Sequence, residues 1–187
     1  TRAFSIAHHS ILEGSRDLWD VGTTTLLGGL LVQLREPLLE DRDGEIVSCK
    51  WAYIWGSVGD CKGFHYSASQ KTFRDITSAN RLGTASARDC GGRLGPAGTE
   101  GLPDLRNFRI DLTPCEEDDI LILVSDGVHD NLEPLQIGLS PTQVSYPEDI
   151  PWESIDPQRR AEIAAGYSIF LLSNLMNATE NGIPKDP

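Results

Sequence analysis

The chain has 187 residues and a formal net charge of −12. So negative a protein is repelled by the phosphate backbone of DNA and RNA, and we expect no nucleic-acid partner. The length suits a single domain over residues 1–187, which can bury a core without disulfides or structural metals. No apolar run approaches the roughly 18 residues of a membrane helix, so we expect no membrane contact, and we expect a monomer.

The first quarter of the sequence predicts a helix followed by a strand. Apolar residues recur at helical spacing over 2–13, which predicts a helix. Residues 21–34 are rich in Thr, Leu and Val and predict a strand, in which Gly28 and Gly29 indicate a bulge or a close backbone approach. The charged segment 36–46 then predicts a turn between strands.

The middle of the sequence predicts a hairpin and a long loop. Residues 46–60 alternate and carry large aromatic side chains, and a glycine-bounded turn at 59–63 separates them from a second apolar stretch at 62–68. Strand, tight turn and strand together predict a β-hairpin. Residues 67–107 are rich in Gly, Ser and Pro and predict an irregular region. Within it, we expect the loop 85–107 to be exposed and more mobile than the sheet.

The last part of the sequence ends in the clearest helix. Residues 108–112 and 118–126 predict strands, and 127–134 predict a helix or turn that a proline limits. The segment 156–179 has a broad apolar stripe, with Asp156 as N-cap and a proline at the first helical position. Strands between two amphipathic helices predict an α+β fold, here a β-rich sandwich of two sheets with the helices packed outside.

The four cysteines are widely spaced and contain no C-x-x-C pair: Cys49, Cys61, Cys90 and Cys115. Zinc sites built from cysteines use such close pairs, so none is indicated. A secreted domain held by disulfides would be shorter and richer in cysteine. We therefore expect four thiols and a cytoplasmic or nuclear protein.

The stretch DDILILVSDGVHDN places an acid where an apolar strand stops. Asp126 follows this strand and precedes Gly127, which turns without a Cβ clash. A strand-end Asp-Gly is often only a turn former. Alternatively, the rigid strand presents the carboxylate to a hard cation such as Mg²⁺ or Mn²⁺. For Asp130, which either shares that site or caps the next helix, we favour the cap.

A second carboxylate stands at the predicted turn SVGDCKG, where Asp60 follows a strand. Taken alone, Asp60 is typical of a turn. Taken with Asp126, it predicts that two carboxylates borne by strands converge on one edge of the sheet. Such a pair of oxygen donors is suited to Mg²⁺ or Mn²⁺.

Three stretches carry a family resemblance, in this order: GTTT at 22–25, SVGDCKG at 57–63 and DDILILVSDGVHDNL at 118–132. They resemble the metal-dependent serine/threonine protein phosphatases of the 2C type. The resemblance implies a two-sheet β-sandwich flanked by helices and a binuclear Mn²⁺ or Mg²⁺ centre whose activated water hydrolyses phosphoserine and phosphothreonine proteins. It also implies that Asp126 is a metal ligand and that Asp60 contacts a further, weaker metal.

The sequence also departs from that family. The Asp-Gly-His-Gly-Gly element that precedes Gly-Thr-Thr in the family is absent, Lys62 and Gly63 replace a Ser-Arg pair, and His129 replaces a Trp. No catalytic residue is therefore assigned. The family's final Asp-Asn, which follows its last helix, is missing too. Because both missing elements belong at the ends, we expect the chain to be part of a longer, working phosphatase. The alternative is a phosphatase-like module that binds or regulates without catalysis.

No substrate-binding residue is assigned, although the loop 85–107 offers one hypothesis. It carries Arg88, Arg93 and Arg106 in an otherwise acidic chain. Arginines beside a metal cleft would hold a phosphorylated peptide. The plainer interpretation, a solvated insertion, is the one we favour.

Overall fold

The computed structural model describes residues 2–13, 17, 21–42, 44–78, 90–97 and 100–180. Its helices and strands are α1 (Arg2–Glu13), β1 (Leu26–Arg42), β2 (Glu45–Val58), β3 (Lys62–Ser67), β4 (Thr72–Asp75), β5 (Arg109–Cys115), β6 (Ile120–Val124), α2 (Asp126–His129) and α3 (Pro157–Glu180). Short 3-10 turns span Asp130–Leu132, Pro141–Val144 and Trp152–Ser154. Two antiparallel three-stranded sheets with helices make this an α+β structure, as predicted.

The chain forms two compact units. One unit comprises Thr1–Cys61 with Ala79–Glu117, and the other comprises Lys62–Ser78 with Asp118–Pro187. The sheet of the first unit has the strand order β1-β2-β5, and the sheet of the second has the order β4-β3-β6. Each unit therefore has its own sheet.

The longest hairpin of the first unit joins β1 and β2. Residues Leu38–Arg42 pair with Glu45–Cys49. The register shifts between Gln33 and Leu38, and this irregularity accommodates Pro37. Gly44 has a φ of +89° and provides the turn. The prediction of a turn over 36–46 is therefore wrong for most of that segment, because the backbone groups of these charged residues are paired in the ladder.

Helix α1 packs on the sheet of the first unit. The Phe4 ring lies over Gly56, where an added Cβ would come within 2.7 Å of the ring. Phe4 also makes an edge-on contact with Phe108 at a centroid distance of 5.1 Å. Farther along the helix, buried His8 accepts a hydrogen bond at Nδ1 from the Gly95 N–H at 3.1 Å. The predicted helix over 2–13 is confirmed.

Helix α3 closes the core of the second unit. Phe64, Tyr66 and Phe73 are buried on the sheet, and apolar side chains of α3 pack against them: Ile169, Leu172 and Met176. Asp156 caps the helix, since its Oδ1 accepts hydrogen bonds from the backbone N–H groups of Gln158 and Arg159. The predicted helix and its N-cap are confirmed.

The predicted hairpin between β2 and β3 is wrong. Strand β2 pairs with β1 on one edge and with β5 on the other. Strand β3 pairs with β4 and β6. Both edges of each strand are thus occupied by other partners, and the segment 59–61 links two sheets rather than closing a hairpin.

The four cysteines are thiols, as predicted, and two of them, Cys49 and Cys115, are buried.

The described parts of the loop 85–107 depart from expectation. Leu94 is 1% exposed and pairs with Thr24, and Arg93 pairs with Asp104. The expectation of an exposed loop is therefore wrong at Leu94, because the loop is tied to the unit by backbone bridges there. Within the parts of the chain that the structure describes, no helix is both long and apolar enough to cross a membrane.

Gly29 marks the predicted close backbone approach. A Cβ on Gly29 would collide with the Ile54 carbonyl oxygen and lie 2.7 Å from the Trp55 Cα, whereas Gly28 has open space. We expect Gly29→Ala to destabilise the protein by about 1–3 kcal/mol, the usual range for overpacking. Gly28→Ala is the matched control and should leave the free energy of unfolding in urea within about 0.5 kcal/mol of the parent. Equal midpoints for the two variants would contradict the close approach.

Candidate functional site

Asp126 lies where β6 leaves the sheet of the second unit. The strand is anchored by pairing with β3 from Lys62↔Val124 to Tyr66↔Ile120. Ser125 is extended, and Asp126 is the exposed first residue of α2. Its Oδ1 accepts a hydrogen bond from the Gly127 N–H at 2.7 Å. The carboxylate therefore stands at a fixed strand exit, open to solvent, with one oxygen also engaged as a turn former.

Asp60 lies in the first unit, directly after β2, and is 7% exposed. The Asn107 side chain makes two hydrogen bonds to the backbone of the adjacent Gly59. It accepts one from the Gly59 N–H at 2.9 Å and donates one to the Gly59 carbonyl oxygen at 2.7 Å. Gly59 has a φ of +97°, which a glycine tolerates. Since Asp60 and Asp126 belong to different units, the convergence of their carboxylates stays a prediction.

The second unit contains an ion pair that is not evident from the sequence. Lys62 Nζ lies 2.7 Å from Glu133 Oε1, and both side chains are almost fully buried. Lys62 reaches this position because it starts β3 directly opposite Val124, where β6 ends. A buried pair of this kind neutralises charges that would each be costly to bury alone.

His129 lies beside the same glutamate. The imidazole is 0% exposed, and its Nδ1 lies 3.6 Å from Glu133 Oε1 and 3.2 Å from Asp130 Oδ1. Asp130 is not the N-cap that the sequence favoured, because α2 continues without interruption into the 3-10 turn Asp130–Leu132. Its carboxylate instead faces His129 and remains 41% exposed. We call Lys62, His129 and Glu133 the buried ionic cluster, which the partly exposed Asp130 adjoins.

A second buried network joins three strands of the same sheet. His65 Nε2 lies 2.7 Å from Asp119 Oδ2, and both side chains are 1% exposed. Arg74 Nε donates to His65 Nδ1 at 3.1 Å, and the Ala68 N–H donates to Asp119 Oδ1 at 3.0 Å. Because the arginine can only donate, Nδ1 accepts and Nε2 carries the proton that is donated to Asp119. This network ties β3, β4 and the residue before β6 together.

The sequence held weak signals for the buried ionic cluster. His129 and Glu133 are four residues apart, the spacing that places side chains on one helical face. Lys62 stands in a stretch otherwise suited to burial, GFHYS. Their partnership could not be foreseen, since Lys62 and Glu133 are 71 positions apart.

The donors found in the structure can be compared with what a Mg²⁺ or Mn²⁺ centre needs. Exposed Asp126 offers a carboxylate oxygen, the ligand that such ions prefer, so it fits one hard cation that keeps several waters. Two ions bridged in one centre need more oxygen donors than Asp126 and Asp60 provide. The two predicted ligands therefore do not fit a binuclear centre by themselves.

Comparison with known proteins gives one informative similarity. Over 123 residues the chain is 33% identical to the PP2C-like domain-containing protein CG9801 of Drosophila melanogaster. The alignment covers 64% of this chain and 17% of that protein, so the chain spans about a sixth of the curated relative that it matches. No family profile matches the sequence, and no solved structure matches it. The chain is thus similar to a PP2C-like protein, in agreement with the resemblance carried by its motifs.

Proposed function

We propose that the chain is part of a metal-dependent serine/threonine protein phosphatase of the 2C type. The complete protein would hydrolyse phosphoserine and phosphothreonine in protein substrates, in the cytoplasm or nucleus. The observation that carries the proposal is Asp126, an exposed carboxylate at the rigid exit of β6, within a motif shared in order with that family. The similarity to a PP2C-like protein supports the same assignment at the level of the family.

In this proposal, the strand exit positions a metal ligand. Pairing of β6 with β3 fixes the backbone before Asp126, and the Gly127 N–H holds one carboxylate oxygen. The cation, Mn²⁺ or Mg²⁺, would supply an activated water at neutral pH when bound. Asp60 would contact a further, weaker ion. The remaining ligands of a binuclear centre would come from the longer protein.

A phosphatase-like module that binds without catalysis is the second candidate. It is favoured by the small number of oxygen donors at the strand exits and by the buried ionic cluster, where Lys62 and His129 replace the family's usual residues. In such a module, the fold would present a surface to a partner. It would not hydrolyse phosphate esters under any metal condition.

The arginines of the loop 85–107 receive less support as a phosphate site. Arg106 lies 2.9 Å from Asp104 Oδ2, so its charge already has an acidic partner in the same loop. Arg93 uses its backbone to pair with Asp104, and Arg88 lies outside the described residues. A solvated insertion remains the interpretation that we favour away from Leu94, where backbone bridges tie the loop to its unit.

Removal and restoration of the metal tests the proposal. We expect the complete protein to release phosphate from a phosphoserine peptide in Mn²⁺, to stop after chelation, and to recover when Mn²⁺ is returned, because the nucleophile is a metal-activated water. Inorganic phosphate is the measured product. An absence of release in both Mn²⁺ and Mg²⁺ would favour the non-catalytic module, and release that persists after chelation would contradict metal dependence.

A further inference from the structure

We propose that His129, Asp130 and Glu133 form a binding site for a zinc-class divalent cation. One imidazole nitrogen and two carboxylate oxygens of these residues all lie within 4.8 Å of one another, and the group does not include Asp126. This zinc site is therefore distinct from the site proposed for Mg²⁺ or Mn²⁺ at Asp126, at the exit of β6. It stands on its own geometry and does not require the protein to be a phosphatase.

The separations between the ligand atoms suit a small tetrahedral ion. His129 Nδ1 lies 3.2 Å from Asp130 Oδ1 and 3.6 Å from Glu133 Oε1. Ligands held about 2.0–2.1 Å from a tetrahedral centre lie about 3.3–3.4 Å apart. The third separation, between the Asp130 and Glu133 carboxylate oxygens, is within 4.8 Å, so rotations of these side chains would bring the three atoms around one ion.

The backbone supports this arrangement. The His129 N–H donates to the Ser125 carbonyl at 3.1 Å, and the Glu133 N–H donates to the Asp130 carbonyl at 3.2 Å. These two bonds fix consecutive turns of chain, from which the three side chains project together. The ligands are thus organised before any ion arrives.

The donor set selects the class of ion. An imidazole with two carboxylates suits Zn²⁺, whereas Mg²⁺ prefers oxygen ligands throughout and gives up its waters reluctantly. The His129 and Glu133 side chains, 0% and 11% exposed, would form the inner wall of the site. Asp130, 41% exposed, would form its open side, where the ion enters and a water completes four-coordination.

The Lys62 ammonium competes with the metal ion for the Glu133 carboxylate. The ammonium lies 2.7 Å from Glu133 Oε1, the same oxygen that lies 3.6 Å from His129 Nδ1. Zn²⁺ can bind there only when the ammonium withdraws from that oxygen, since two cations repel strongly at such a distance. Lys62 therefore lowers the affinity of the site without being one of its ligands.

Calorimetric titration of the full chain with Zn²⁺ tests the proposal, together with the visible absorption of Co²⁺ as a report on coordination. We expect one ion per chain. Loss of an outer partner of a metal ligand already costs about 10–100-fold in affinity, so His129→Asn and Asp130→Asn should each cost at least about 10-fold. Lys62→Met should tighten binding by about 10-fold or more, because it removes the competing charge.

If His129→Asn fails to fold because His129 is buried, the variant Asp130→Asn at a partly exposed position still tests the proposal. His9→Asn, which removes an exposed imidazole elsewhere, and Asp118→Asn, which removes an exposed carboxylate, should both bind Zn²⁺ like the parent, and millimolar Mg²⁺ should not compete. The proposal is overturned if neither the parent nor Lys62→Met takes up Zn²⁺. It is equally overturned if uptake survives Asp130→Asn unchanged.

Discussion

Asp126→Asn should lower Mn²⁺-dependent hydrolysis of a phosphoserine peptide by the complete protein by at least about 100-fold, since even outer partners of metal ligands contribute about 10–100-fold. The substitution keeps the size of the side chain and removes its charge. Asp126 is exposed, and the Gly127 N–H can bond to an amide oxygen as well as to a carboxylate. The fold should therefore survive, and the loss should appear in hydrolysis alone.

Asp118→Asn is the matched control for that experiment. Asp118 is exposed, lies just before the opposite end of β6, and has a φ of +70°, which asparagine tolerates well. It should leave hydrolysis unchanged. Asp60→Asn should reduce hydrolysis less than Asp126→Asn, because the ion that we propose for Asp60 is the weaker one. A well-folded Asp126→Asn protein that hydrolyses the peptide at the parent rate would make the strand-end acid a turn residue only.

Lys62→Met should destabilise the chain by about 3–5 kcal/mol, the usual result of removing one partner of a buried ion pair. The Glu133 carboxylate would remain 11% exposed after losing its cation at 2.7 Å. Equilibrium unfolding in urea measures the difference. The midpoint should fall while the slope with denaturant stays the same, because the surface exposed on unfolding does not change.

Two further variants separate burial from charge. Arg159→Met breaks an exposed ion pair with Glu162 in the same unit and should cost no more than about 1 kcal/mol. The double variant Lys62→Met, Glu133→Leu removes both buried charges and should recover much of the stability lost in the single variant. If Lys62→Met costs as little as Arg159→Met, the pair is not buried in solution.

The sequence was most informative where local patterns dominate. Helical periodicity located α1 and α3, and the apolar runs located β5 and β6. Asp156 was recognisable as an N-cap because capping depends on a side chain and the backbone only two or three residues away. At these places, short-range chemistry and tertiary packing favour the same structure.

Strand pairing was harder to predict because it depends on distant partners. The segment 59–63 has the composition of a hairpin turn, yet β2 and β3 pair with strands far along the chain. Residues 36–46 look like a turn because they are charged. One face of this hairpin is exposed and accepts charges, and the buried Arg42 is paired with Glu40. In both cases, backbone pairing with other strands outweighed the local preference for a turn.

Of the candidate site, only the acid at the end of β6 could be predicted from the sequence. The position of Asp126 follows from the apolar run before it and from Gly127 after it. The buried ionic cluster depends on the pairing of Lys62 with Val124, which brings a lysine toward a helix turn that is distant in sequence. Sequence order alone does not contain that register.

The most direct test of the account is a count of Mn²⁺ ions bound to the complete protein, made from the paramagnetic resonance signal of the free ion. The central claim is that Asp126 holds a hard cation at the exit of β6. We predict that Asp126→Asn binds at least one Mn²⁺ fewer than the parent and than Asp118→Asn, at concentrations where the parent is saturated. Equal numbers of bound ions in all three proteins would contradict the claim.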